Sequence, residues 1–121
     1  MSASATVERY LQGLPAEART LAPGEWGVSV EAAGWPLHVG LRLDRGLLRV
    51  QGEALGPDAI SDHELLYRNR ALVLVRYAHT GAGAVWVHGE LPDELVTPVW
   101  LDRLLGSVVD AATVVRHRAA A

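Results

Sequence analysis

A chain of 121 residues, half hydrophobic and a fifth charged, suits a single domain spanning residues 1–121 with a core that needs no metal or disulfide. It has no Cys, which excludes disulfides, thiolate chemistry and Cys-based zinc sites, and its formal net charge of −3 offers no basic field to gather nucleic acid. No apolar run approaches the roughly 20 residues that span a bilayer, and the N-terminus lacks the charged start and apolar core of a signal peptide. A cytoplasmic address is therefore expected, with neither nucleic acid nor membrane as a partner.

Residues 6–14 read as a short helix, because Val7, Tyr10, Leu11 and Leu14 sit at i, i+3, i+4 and i+7 on one stripe. Pro15 ends it nearby. Residues 16–24 carry little pattern and read as a helical turn or a loop. Residues 25–32 alternate, with Trp26, Val28, Val30 and Ala32 pointing one way. The Ala33-Gly34-Trp35-Pro36 stretch turns the chain. Residues 37–44 alternate again, with Leu37, Val39, Leu41 and Leu43 inward and His38, Gly40, Arg42 and Asp44 outward. Asp44-Arg45-Gly46 is a tight-turn signal, and residues 47–53 make a third strand with Leu48 and Val50 inward. The three strands form an antiparallel meander with one wet face.

Gly56-Pro57-Asp58 leaves the sheet. Ser61-Asp-His-Glu64 matches a capping box, in which the Ser61 hydroxyl serves the first turn and Glu64 reaches back. A short helix through Leu65 and Leu66 follows. Residues 71–79 and 84–91 then read as a β-hairpin about a loop at residues 80–83. In that register His79 faces Ala84 and Tyr77 faces Trp86. Val73, Val75, Tyr77, Trp86, His88 and Glu90 then share one face, and a one-residue change in loop length exchanges these partners. The first of these strands is apolar on both faces, so a central place or a covering partner is expected. Thr97 and Pro98 open a C-terminal helix whose stripe is Leu101, Leu104, Leu105, Val108, Ala112 and Val115. Arg116, His117 and Arg118 suit the negative end of its dipole.

The expected fold is α+β: a two-layer α/β sandwich with an antiparallel five-stranded sheet, in the order α-β-β-β-α-β-β-α. The first and last helices should cover one face.

No catalytic constellation stands out. The five His form no spaced metal motif. His38 and His88 are outward strand residues that only sheet packing could bring together, and with Arg42 they mark the place where a small ligand-binding or hydrolytic site would lie. Ser61 and His63 are two apart on a helix and do not face each other. Gly81 and Gly83 precede a strand rather than a helix, which rules out a phosphate cradle. No cofactor, metal or catalytic residue is therefore expected. The tryptophans say more. Trp26 has a core position. Trp35, beside Pro36, is hard for its own domain to bury, and Trp86 with Tyr77 suits either an interface or a core. Lys and Phe are missing, with one Asn and one Ile, which points to GC-rich coding and a bacterial source.

Residues 65–69, Leu72 to Tyr77, the Gly turn, the Val85-Trp-Val-His-Gly-Glu-Leu-Pro92 run and Val96-Thr97-Pro98 with the stripe behind it resemble the YbjN family. That family shares the fold of the type III secretion chaperones. The resemblance covers residues 61–112 by motif and the N-terminal half by element order alone. It implies a non-enzymatic homodimer that binds other proteins, chaperone-like or regulatory, and it brings no catalytic residues. Val73, Val75, Tyr77, Trp86, His88 and Trp35 are the expected partner or dimer contacts.

Overall fold

The computed structural model describes residues 1–121. Helix α1 (Ala3–Gln12) starts where the Ser2 hydroxyl accepts from the Ala5 amide, three residues earlier than the expected start at residue 6. Four strands follow: β1 (Glu17–Ala22), β2 (Glu25–Ala32), β3 (Trp35–Asp44) and β4 (Leu47–Leu55). Next come α2 (Asp62–Asn69), β5 (Val75–His79), β6 (Val85–Pro92), a single 3₁₀ turn (Asp93–Leu95) and α3 (Pro98–Ala120). No helix is long and apolar enough to cross a membrane.

The sheet has six strands in the order β1-β2-β3-β4-β6-β5, every neighbour antiparallel. The expected five strands are one too few, and the element order is α-β-β-β-β-α-β-β-α. The additional strand is β1, and its sequence hid it for a physical reason. It lies at an edge, all six residues are exposed or half-exposed, and so no apolar alternation is required of it.

The hairpin turns agree with their sequence signals. Arg45 and Gly46, with φ of 53° and 77°, make the β3–β4 turn, whose two central residues both need positive φ. The β5–β6 hairpin departs by one position. Its loop is Thr80 to Ala84, closed by the Thr80 hydroxyl accepting from the Ala84 amide. His79 therefore opposes Val85 rather than Ala84, and Tyr77 opposes Val87 rather than Trp86. The slip turns every β6 side chain over relative to β5. Val75, Tyr77, Val85, Val87 and Leu91 all face the helices and are buried, while Arg76, Trp86, His88 and Glu90 share the open face.

The first of these strands is also shorter than its apolar run. Residues 72–74 precede it as an irregular crossing, with Leu74 at φ 70°. That conformation is costly for a branched side chain. It leaves Val73 76% exposed, while Leu72 and Leu74 pack against the core. The second apolar face thus has two explanations inside one chain, burial beneath α3 and an outward-facing Val73.

Helices α1 and α3 cover one face, as expected. The whole expected stripe of α3, from Leu101 to Val115, is buried. At Gly89 of β6 a Cβ would lie 2.7 Å from Leu104 Cδ1 of α3 and 2.9 Å from the Leu74 carbonyl oxygen. Only glycine fits there. The Tyr10 hydroxyl donates to Asp102 and ties α1 to α3. Partial burial first, and then that bond, raise the Tyr10 pKa far above the usual phenol range.

Candidate partner-binding site

The two edges of the sheet are treated differently. At the β5 edge, the Asn69 side chain accepts from the Tyr77 amide at 2.7 Å and donates to the Tyr77 carbonyl at 3.1 Å. The chain's single Asn thereby occupies the outward N–H and C=O of Tyr77, at the middle of β5, as another strand would. Helix α2 ends at that residue and lies alongside. An edge plugged in this way resists further pairing. At the opposite edge β1 has no such cover. It carries no Pro and no Lys, and its outward N–H and C=O groups face solvent.

Beneath β1 lies a groove of about 370 Å³ between the strand and α1. Its existence follows from residue size. Ala18 and Thr20 oppose Val28 and Trp26, so they point toward the helix layer, yet both are too small to fill it. Leu11 and Leu14 form the far wall, Trp26 contributes to the floor, and Glu8 and Arg19 bring charge to the lining. Trp26 is 2% exposed, and its indole Nε1 has no hydrogen-bond partner.

A second surface lies on the β5 side of the molecule. Leu66, Tyr67, Val73 and Val114 are exposed at 70%, 66%, 76% and 44%. Ala71 joins them, since it borders both the depression at Tyr67 and the one at Val73 and Val114. Tyr67, Val73 and Val114 grouped this way exceed the scattered exposure normal for a monomer.

The expected contact residues are distributed unevenly over these surfaces. Val75 and Tyr77 are each 6% exposed within the single chain, and the Tyr77 hydroxyl donates to the Ala111 carbonyl of α3 at 2.7 Å. Burial pushes that phenol up to about 12. Their place in the core corrects the expectation that they share a face with Trp86. Val73 belongs to the exposed β5-side patch. Trp86 and His88 lie on the open sheet face, edge to face with ring centroids 6.3 Å apart. His88 is held below the usual imidazole value, by burial first and then by the Arg76 and Arg49 cations. The Trp86 indole Nε1 is a second buried donor without a partner.

Trp35 does something the sequence did not disclose. Its ring centroid lies 3.3 Å from the Arg116 guanidinium carbon, with the residue still 47% exposed. Arg116 is itself only 4% exposed and meets no carboxylate. It donates instead to the carbonyls of Ala54, Ala32, Trp35 and Pro36 at 2.8 to 3.1 Å, and to Glu53 at 3.5 Å. The β4 register shift between Glu53 and Leu55 takes Ala54 out of the ladder, and Arg116 serves that carbonyl. Arg116 is thus a clip between the end of α3 and three strand ends, in place of the dipole role expected for it. No sequence signal marks it beyond an arginine at the next position of an apolar stripe.

The open face does not assemble the alternative site. His38 on β3 shares a 2.8 Å hydrogen bond with Ser29, and His88 stands opposite Gln51. Strand β4 lies between β3 and β6, which sets His38 and His88 about 9–10 Å apart in the pairing direction. Arg42 is engaged with Glu25 and Asp44 at 3.7 and 3.6 Å. The Glu64 carboxylate does not complete a capping box either. It turns to Arg68 and Arg118, while the Ser61 hydroxyl alone caps α2. The Arg68 contact first, then Arg118, hold Glu64 below the usual carboxylate range.

No family model and no curated protein sequence matches the chain. The fold is that of the type III secretion chaperones. A chain of the HopA1–SchA chaperone–effector complex superposes with a TM-score of 0.67 at 17% identity, covering 91% of this chain and 87% of that one. The Yersinia pestis type III secretion chaperone SycH, in complex with a stable fragment of YscM2, gives 0.66 at 19% identity, with 94% and 99% covered. A chain of the ExsC–ExsE complex gives 0.65 at 20% identity, with 93% and 92% covered. At such identities the likeness is one of fold.

Proposed function

We propose that this chain is a non-enzymatic, chaperone-like or regulatory homodimer of the YbjN kind, cytoplasmic and without a cofactor, that holds an extended segment of a partner protein along β1. The single observation that carries this reading is the asymmetry of the sheet edges, one plugged by Asn69 and one bare above a groove. An extended segment laid on β1 gains main-chain hydrogen bonds, and its alternate side chains enter the groove. The structural neighbours agree with a partner-binding role, since all three are complexes and two of these contain a chaperone.

The homodimer rests on the patch at the other end of the molecule. Tyr67, Val73 and Val114, which border depressions joined at Ala71, with the exposed Leu66 beside Tyr67 on α2, offer a surface that a second copy covers by two-fold pairing. Trp35, Trp86 and His88 remain proposed contacts for the body of the partner beyond the segment held on β1, rather than for the dimer.

Light scattering should give twice the 13.0 kDa chain mass at micromolar concentration. The double change Leu66→Glu, Val73→Glu should return it to one chain. A wild-type monomer removes the dimer from the proposal. For holding, linear peptides selected by phage display on the wild type are measured against Arg19→Pro and Thr20→Pro. Successive amides of a strand point to opposite sides, so one of the two prolines removes an outward donor. That variant should stay folded and lose peptide binding. Undiminished binding by both variants refutes docking at this edge.

A further inference from the structure

We infer that the groove beside β1 reads one particular side chain of the held segment, a hydrogen-bond acceptor such as Ser, Thr, Asn or Gln, through the indole N–H of Trp26. The inference rests on the strand-addition reading and adds a specificity to it.

Trp26 is the largest fully buried side chain of the protein, and a buried donor without an acceptor is a rare and costly arrangement. Its neighbours supply nothing. Leu41 opposes it on β3 and Thr20 on β1, and the Thr20 hydroxyl makes no hydrogen bond to it. Trp26 also lines the groove that borders the bare edge, so its orphan donor belongs to a residue of the groove wall. A strand added to β1 continues the pleat, and every second residue of it projects on the same side as Ala18 and Thr20. The small size of those two leaves room for such a side chain to reach toward the indole. The remaining walls mix Leu11 and Leu14 with Glu8, Gln12 and Arg19. The occupant is therefore an extended protein segment with one short acceptor on its groove face.

The probe is the panel of phage-selected linear peptides, used on the full chain. The selected sequences should share an acceptor at one of the groove-facing positions. Replacing that residue by Ala, or Thr by Val, should weaken binding about tenfold, the worth of one buried hydrogen bond. In a ¹⁵N spectrum the Trp26 indole N–H, identified by its loss in Trp26→Phe, should move downfield on adding the parent peptide and stay put with the Val or Ala version. The spectrum is read on wild-type protein, so it stands even where Trp26→Phe disturbs the core. Peptides that protect β1 but show no acceptor preference, with an unmoved indole signal, overturn this inference and leave strand addition standing. Peptides that protect no part of β1 overturn both.

Discussion

Replacing Arg116 by Met tests whether a buried cation without an anion holds this fold together. Methionine keeps most of the side-chain volume and removes the charge. Four carbonyls at 2.8 to 3.1 Å lose a donor, and the Ala54 carbonyl, outside the ladder at the β4 bulge, has no replacement. Hydrogen bonds to a charged group are worth about 1.5–3 kcal/mol each, so the gross loss is about 6–12 kcal/mol. Against it stands the desolvation of the guanidinium, several kcal/mol that Met does not incur. The net expectation is a destabilisation of about 2–5 kcal/mol, large beside the stability of an ordinary domain. Urea unfolding followed by circular dichroism measures it, and an unchanged slope with a lowered midpoint assigns the effect to stability. Arg116→Lys should fall between, because an ammonium reaches fewer of the fanned carbonyls. A Met variant as stable as the wild type, or more so, refutes the reasoning and makes the cation a net cost.

Other consequences follow from single contacts. Gly89→Ala forces a methyl against Leu104 and the Leu74 carbonyl and should cost about 1–3 kcal/mol by the same urea assay, whereas Gly106→Ala, with nothing within 4 Å, should stabilise by a few tenths to about 1 kcal/mol. Asn69→Ala strips the plug from β5, so it should lower stability by about 1–2 kcal/mol and raise concentration-dependent aggregation in light scattering. Acid should unfold the protein partly through Glu90. Its bidentate contact with Arg76 first, and the coulombic effect of Arg76 and Arg49 after it, hold the folded pKa below the ordinary 4.5. A depressed carboxyl pKa gives stability that is full above the unfolded value and is lost as pH falls through the folded one. Glu90→Gln should therefore flatten the urea midpoint against pH below about 4.5 and leave the slope above pH 5 unaltered.

The helices and the interior were legible because they obey periodic rules. The α3 stripe, the Thr97 cap and the alternation of β2, β3 and β4 all follow from burial on one side. What escaped was set by something other than burial periodicity. Strand β1 is exposed on both sides, so Glu17–Ala22 carries no pattern, and Pro23-Gly24 ahead of β2 was its only trace. The hairpin register hung on one loop residue, Ala84, and the slip moved Val75 and Tyr77 from the expected contact face into the core. Arg116 and Asn69 act on backbone groups distant in sequence, at the β4 bulge and at Tyr77, and such partners leave no local signature. The groove was invisible for the same reason, since it depends on α1 lying across small residues of a strand that had not been recognised.

Hydrogen exchange of the full chain with and without a tight phage-selected peptide bears most directly on the bare edge as the holding site. Slowed exchange confined to the amides of Glu17–Ala22 and the facing side of α1, with β5 unchanged behind Asn69, is the expected result. Protection on β5, or on the open face around His38 and His88 with β1 still fast, contradicts it.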